Sequence, residues 1–300
     1  MIRFLGLLAG AVFAIVACGG APSTAASPTP SAPPKLSVAL PAAVKDKGKL
    51  AAGIKCDYPP FGYTDETGST VGYEIDMVRR MAWYAFGDSN AVNLQCVVAA
   101  NRISFLTTNK IDLVVATMTY TPERAKTVAF SDPYFSAAGR LLVGKDTTIK
   151  EAKDMAGKSV ATIKGSVYAT YFQNCVPQAT VLTFDGTADA LSALNQGRAQ
   201  AFVQDDTLLV DLAKKNANLK MVGSGVAAGP WGIGIRLEDT ALAAWVNAAL
   251  AQMQKEDFNW KNFQKWIPDK TTQQLFGNVV PRPNQTLRYG QGPVATQCTT

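Results

Sequence analysis

Three short segments carry the residue types best suited to grip a small charged molecule, and each follows a β-branched run. In the first, Leu113–Ala116 leads into Thr117-Met118-Thr119-Tyr120-Thr121-Pro122-Glu123-Arg124. Thr117 and Thr119 alternate onto one side of an extended segment, where their hydroxyls can donate to an anion. Arg124 adds a planar fork that can donate two hydrogen bonds to a carboxylate. In the second, Ser159–Ile163 precedes Lys164-Gly165-Ser166, where a glycine admits close backbone approach at a helix start. In the third, Ala201–Val203 precedes Gln204-Asp205-Asp206, so that Asp205 either holds a cationic ammonium or caps the next helix. An anion grip and an acid at separate turns suit the two ends of a zwitterion. The chain has no histidine, which removes the commonest general base and every nucleophile–histidine arrangement, so no catalytic residue is expected.

The turns need a scaffold that presents them together. Short β-branched runs at Leu50–Lys55, Val92–Val98, Leu113–Thr117, Ser159–Ile163, Thr180–Thr183 and Ala201–Val203 alternate with helical patterns, which predicts α/β units around largely parallel sheets. In such sheets ligands bind beyond the carboxyl ends of strands, at helix N-termini. Ile75, Val78, Ala82 and Ala85 recur at helical steps behind Glu74 and Asp76, which the helix dipole favours in a first turn. Helices are also expected over 101–108, 122–127, 167–173, 187–195, 207–215 and 240–255; Thr121 before Pro122 marks one start clearly.

The N-terminus reads as an export signal. Phe4 to Ala17 is continuously apolar behind Arg3 and spans roughly 21 Å as a helix, short of a ~30 Å bilayer core. It ends Ile15-Val16-Ala17-Cys18, which resembles the bacterial lipobox, so Cys18 is the expected lipidation site. The protein is then exported and anchored by lipid to the outer face of the cell membrane. Gly19 to about Lys45 is a Pro, Ala and Ser-rich tether that cannot bury a core. Export makes the other cysteines disulfide candidates. Of three possible pairings, Cys56–Cys96 is preferred because it joins neighbouring strands, leaving Cys175–Cys298. With no Cys-x-x-Cys pair and no histidine, no metal site is expected, and no cofactor. The net charge of +6 is scattered among acids without a basic stripe, which argues against nucleic-acid binding.

Over residues 46–268 the chain resembles the bacterial family 3 solute-binding proteins, the polar amino-acid receptors of ABC importers. Gly72-Tyr73-Glu74-Ile75-Asp76-Met77-Val78 is similar to that family's signature, and Thr119–Arg124 with Phe130-Ser131-Asp132-Pro133-Tyr134 to its second hallmark. The resemblance implies a periplasmic-binding-protein-like type II fold: two α/β lobes joined by two hinge segments, acting as a monomer beside ABC importer membrane subunits. The expected division is signal peptide 1–17, tether 18–45, lobe 1 over 46–142 and 234–268, lobe 2 over 143–233, and a tail over 269–300. Crossings are expected near Arg140–Lys145 and Trp231–Arg236.

The same resemblance implies that Arg124, Thr117, Thr119 and the turn at Ser166 clasp an α-carboxylate while Asp205 takes the α-ammonium. Tyr58 and Phe61 would line the aliphatic part, and Asp57 would contact a polar ligand. Lys55, Asn101-Arg102 and Asp205–Leu209 resemble the glutamate/aspartate branch, in which cations matching Lys55 and Arg102 neutralise a second carboxylate. A lysine stands where some relatives have arginine, and Ala99 where a relative offers a hydroxyl. Both departures leave room for asparagine or glutamine. A dehydratase-like enzyme on the same fold, or a lipoprotein sensor with a membrane signalling partner, are the alternatives.

Overall fold

The computed structural model describes residues 32–290 and 297–298. The expected leader, Cys18 and the first part of the tether lie outside these residues. The chain docks before Asp46, earlier than the proline count suggested. Leu36, Val38 and Leu40 are half-buried against the core while Ser37 and Ala39 are exposed, a period-two pattern that proline-rich composition masks. A short helix follows, α1 (Ala42–Lys45), with Val44 buried.

The first lobe opens with β1 (Leu50–Ile54), then a small antiparallel sheet of β2 (Asp57–Tyr58), β3 (Gly62–Thr64) and β4 (Thr70–Val71). Helix α2 (Tyr73–Phe86) begins at Gly72, whose φ of 134° and whose contact with Phe61 O, 2.3 Å from where a Cβ would stand, admit only glycine. It ends at Gly87 in the left-handed conformation and buries Ile75, Met77, Val78, Met81 and Ala82. The lobe continues through β5 (Val92–Cys96), α3 (Arg102–Thr107), β6 (Leu113–Val115), α4 (Pro122–Ala125) and β7 (Val128–Phe130).

The second lobe comprises β8 (Phe135–Gly144), β9 (Ser159–Ile163), α5 (Val167–Cys175), β10 (Thr180–Phe184), α6 (Thr187–Asn195), β11 (Ala201–Asp205), α7 (Asp206–Lys215) and β12 (Leu219–Trp231). The chain then returns through β13 (Gly234–Arg236) to α8 (Thr240–Lys255), α9 (Phe258–Trp266) and α10 (Lys270–Phe276). Residues 269–290, set apart in sequence as a tail, continue the first lobe. Phe276 and Val280 join its core, and Tyr289 stacks on Tyr120 at 4.4 Å and donates to Ser131 O.

Two five-stranded sheets result, β5-β1-β6-β13-β7 and β10-β9-β11-β8-β12. They are mixed rather than largely parallel. Strands β5, β1 and β6 run parallel, as do β10, β9 and β11, but β13 is antiparallel to β6 and β7, and β8 is antiparallel to β11 and β12. The reason is topological: a chain that leaves a lobe and returns must run both ways across the junction. Strand β8 itself carries the outward crossing: Phe135 packs with Phe61, Tyr73 and Phe263 of the first lobe, while pairing with β11 begins at Gly139, so the expected lobe boundary at 142/143 falls inside a strand. Its opening residues, Phe135-Ser136-Ala137-Ala138-Gly139, contain no β-branched side chain to announce a strand. Phe135 and Trp231 on the two crossing strands stack at 4.9 Å, and Phe61, Tyr73 and Phe263 pack around them. Disulfides join Cys56 to Cys96 beside β1 and β5, and Cys175 at the end of α5 to Cys298. No helix among the described residues is long and apolar enough to cross a membrane.

Candidate ligand-binding site

A cleft between the lobes is lined by Lys55, Tyr58, Ala99, Arg102, Thr117, Thr119, Arg124, Ile163, Ser166, Val167, Tyr168, Gln204 and Asp205. Most of these polar groups lie at or just beyond the carboxyl ends of β1, β5, β6, β9 and β11, or on the helices that follow, and Tyr58 ends the short β2. The lobes are closed, leaving about 20 Å³ of cavity.

The first lobe supplies the cations. The β6–α4 turn starts at Thr117, a β-branched residue held at φ 47°, in the left-handed region such residues rarely enter. Its amide donates to Glu74 Oε1 at 2.7 Å, and its carbonyl accepts from Arg102 Nη1 at 3.3 Å. Further along, Tyr120 N–H donates to Pro230 O and Gly232 N–H to Met118 O, which stitches the turn to the returning strand. The Thr121 hydroxyl accepts from Arg124 N and starts α4. Half-buried Arg124 donates through Nη1 to Thr119 O at 2.7 Å and through Nη2 to Gly165 O of the other lobe at 2.9 Å. Burial, and next the like charge of Arg102, push the Arg124 guanidinium down to about 9. Burial likewise lowers Arg102. Two desolvated guanidinium groups side by side are a standing demand for an anion.

The second lobe supplies the acid. Asp205 is buried and does not cap α7. Instead Tyr168 OH donates to its Oδ1 at 2.5 Å, and Tyr58 OH, from the first lobe, donates to Oδ2. Burial raises the Asp205 carboxyl, and those two hydroxyl donors oppose the rise. Asp206 is pushed up to about 7 by burial and then by Asp205, its carboxylate accepting from Thr207 N and Ala138 N. Ser166 stands at the start of α5, with its hydroxyl 3.1 Å from that of Thr162. An ammonium at Asp205 and a carboxylate at Arg124 satisfy both halves of the cleft.

The cations expected to meet a second carboxylate are already engaged. Lys55 Nζ lies 3.2 Å from Asp57 Oδ1, and Asp57 Oδ2 accepts from Thr187 N–H at the start of α6, across the cleft. Burial tends to raise the Asp57 carboxyl, but Lys55 and the Thr187 amide outweigh it and leave it lowered. Arg102 Nη1 donates to Ala116 O as well as Thr117 O. Behind it sits Glu74, wholly buried.

Of the residues expected at the site, Arg124, Thr117, Thr119, Asp205, Lys55, Arg102, Tyr58 and Ser166 line the cleft. Asp57 is not among the lining residues and instead pairs with Lys55. Phe61 does not line it: the ring is fully buried in the aromatic group under the crossing strands. The reason is local, since the short β2–β3 connection turns Phe61 inward while Tyr58 faces Asp205. Tyr168, Gln204, Ile163 and Val167 were not singled out in sequence. Tyr168 carried one usable signal, its place in the first turn of the helix that follows Gly165-Ser166. Among the described residues no three His, Cys, Asp or Glu side chains are grouped to hold a metal.

The family model of bacterial extracellular solute-binding proteins, family 3, matches residues 50–269. An ABC transporter glutamine-binding protein of Bacillus subtilis is 34% identical over 261 residues, covering 86% of this chain and 94% of that relative. A glutamine-binding protein of Geobacillus stearothermophilus is 39% identical over 193 residues, covering 64% and 74%. The crystal structure of the solute receptor for L-cysteine of Neisseria gonorrhoeae superposes with a TM-score of 0.73 at 30% identity, covering 75% of this chain and 92% of that one.

Proposed function

The chain belongs to the bacterial extracellular solute-binding proteins of family 3, and from that premise we propose that it binds glutamine between its two lobes and delivers it unchanged to an ABC importer. Arg124, Thr117, Thr119 and Ser166 take the α-carboxylate, and Asp205 the α-ammonium, with Tyr58 and Tyr168 yielding part of their hold on that carboxylate. Because the carboxylate grip is on one lobe and Asp205 on the other, a bound zwitterion favours the closed form. Lipidation at Cys18 holds the receptor at the outer face of the membrane, and the chain works as a monomer beside the importer.

The ion pair between Lys55 and Asp57 carries the choice of an amide over an acid. With Lys55 paired to Asp57 and Arg102 Nη1 spent on backbone carbonyls, the side-chain end of the cleft offers less countercharge than two unpaired cations would. Burying a second carboxylate there is unfavourable, whereas a carboxamide can both donate and accept. The two glutamine-binding relatives support the same reading. One observation favours glutamate or aspartate instead: Arg102 Nε is buried without an acceptor among the described residues. Isothermal titration with glutamine, asparagine, glutamate and aspartate decides between them. Glutamine is expected to bind at least about tenfold more tightly than glutamate, a difference of ~1.4 kcal/mol. Tighter glutamate binding restores the acidic ligand, and turnover of prephenate or arogenate would make the protein a dehydratase.

A further inference from the structure

Glu74 lies within the family signature yet touches no part of the cleft surface. It is fully buried at the second position of α2 and forms no ion pair within 4 Å among the described residues. Its Oε1 accepts from Thr117 N–H at 2.7 Å and from Tyr134 OH, and its Oε2 has no hydrogen-bond partner. A buried carboxylate in this state is costly, so its retention calls for a compensating use. The peptide it holds is the one strained point of the site: Thr117 at φ 47°. Arg102 holds the next carbonyl along, so the strained residue is clamped on its N–H side by Glu74 and on its C=O side by Arg102. The clamp sets where the turn leaves β6, and Arg124 is positioned in part through Thr119 O two residues on.

We propose that Glu74 is a positioning residue for ligand binding: with Tyr134 fixing its carboxyl, it holds the Thr117 peptide left-handed and thereby aims Thr117, Thr119 and Arg124 at the ligand's carboxylate. The two hallmark segments, Gly72–Val78 and Phe130–Tyr134, then act together, since the acid of one is oriented by the tyrosine of the other. The inference rests on the reading of this cleft as an amino-acid site. What Glu74 supplies is an acceptor oxygen, so an amide serves as well as a carboxylate. Glycine adopts positive φ without strain, so Thr117→Gly removes the need for the clamp.

The test is a titration of the full chain with glutamine in two backgrounds. Glu74→Leu is expected to weaken binding at least about 30-fold and Glu74→Gln less than about threefold. With Thr117→Gly as the new reference, Glu74→Leu is expected to cost less than about threefold, because coupled residues are non-additive. Equal losses in Leu and Gln variants, or the same Leu penalty in both backgrounds, overturn the proposal. Should Glu74→Leu fail to fold, Tyr134→Phe removes only the hydroxyl that orients Glu74 and is expected to weaken binding about three- to tenfold. Unchanged affinity in that variant is the overturning result. Hydrogen exchange of the Thr117 amide in the free protein separates this inference from the ligand assignment. If the wild type binds no amino acid, faster exchange in Tyr134→Phe still supports the clamp, and unchanged exchange refutes it.

Discussion

The two lobes bring opposite charges to the cleft and hold them by different means. In the first, the anion grip rests on a buried polar network: Glu74 and Arg102 clamp a strained peptide, and Arg124 is steadied by Thr119 O. In the second, Asp205 simply ends a fully buried strand, with Tyr168 from α5, the helix that follows the neighbouring strand β9, beside it. The contrast follows from the groups concerned. A guanidinium on a long side chain needs several acceptors to stay in one geometry, whereas a short carboxylate at a strand end is placed by the backbone itself. The first lobe's half of the site is thus held mainly by its own neighbours, with one bond across the gap from Arg124 Nη2 to Gly165 O. The second half is completed across the gap, where Tyr58 reaches Asp205 and Thr187 N–H reaches Asp57.

The largest effect expected from breaking this contrast is on stability. Chain entropy puts each disulfide at about 4 to 5 kcal/mol, and the 123-residue separation of Cys175 and Cys298 makes that bridge worth ~1 kcal/mol more than Cys56–Cys96 with its separation of 40. Replacing both members of each pair by serine and comparing urea midpoints tests this. A larger loss from the Cys56–Cys96 pair breaks the ordering and shows that strand pairing, rather than loop length, governs.

Next come the charged partners of the zwitterion. Arg124→Ala and Asp205→Ala are each expected to weaken ligand binding by about 1.5 to 3 kcal/mol, as charge-assisted hydrogen bonds do. If the first lobe's half is held mainly by its own neighbours, Tyr58→Phe, which removes only a cross-lobe donor to Asp205, will cost less than either. Calorimetry on the three variants orders them, and an unaffected Arg124→Ala variant removes the carboxylate assignment.

Affinity and stability should part company with pH. Asp205 must be ionised to hold an ammonium, and burial raises its pKa. Affinity should therefore fall as pH is lowered through that raised value, at a higher pH than for an exposed aspartate near ~3.9. Stability moves the other way. Burial pushes both Glu74 and Asp206 up to about 7 in the folded protein, while in the unfolded chain such groups lose their protons near ~4. The folded state then binds protons that the unfolded state has released, so stability declines as pH rises between about 4.5 and 7. The free protein is expected to melt a few degrees higher at about pH 5.5 than at about pH 8. Glu74→Gln and Asp206→Asn should each flatten the curve; a profile rising across this window contradicts the assignment.

The smallest effect belongs to the outer contact between lobes. Lys214 of α7 reaches Asp269 at 2.5 Å and Thr272 at 2.6 Å ahead of and within α10. The pair is half-exposed, and solvent and salt screen such pairs strongly. Lys214→Ala is expected to leave glutamine affinity nearly unchanged, and a marked change in titration would move part of the closing energy out of the cleft.

Much of this molecule was legible along the chain because it is local. Thr121 before Pro122 marks α4, the apolar steps from Ile75 mark α2, and polar residues after β-branched runs mark the strand ends that line the cleft. Lys55, Arg102, Thr117, Thr119, Arg124, Ser166 and Asp205 all come from that logic or from the family resemblance, and all meet at the cleft. What the chain could not display was orientation and pairing. Phe61 and Tyr58 stand three apart, yet one is sealed under the crossing strands and the other faces Asp205. That depends on which way a short hairpin turns. In sequence Asp57 is expected to contact a polar ligand, and Glu74 reads as a first-turn acid. Only folding sets them against Lys55 and the Thr117 peptide, 43 residues away in the latter case. The sequence by itself therefore determined the class of fold and the charges available to a ligand, because periodicity and turn chemistry act over a few residues. The tertiary structure decided which of those charges are cancelled by buried neighbours, because that depends on distances between segments far apart in the chain.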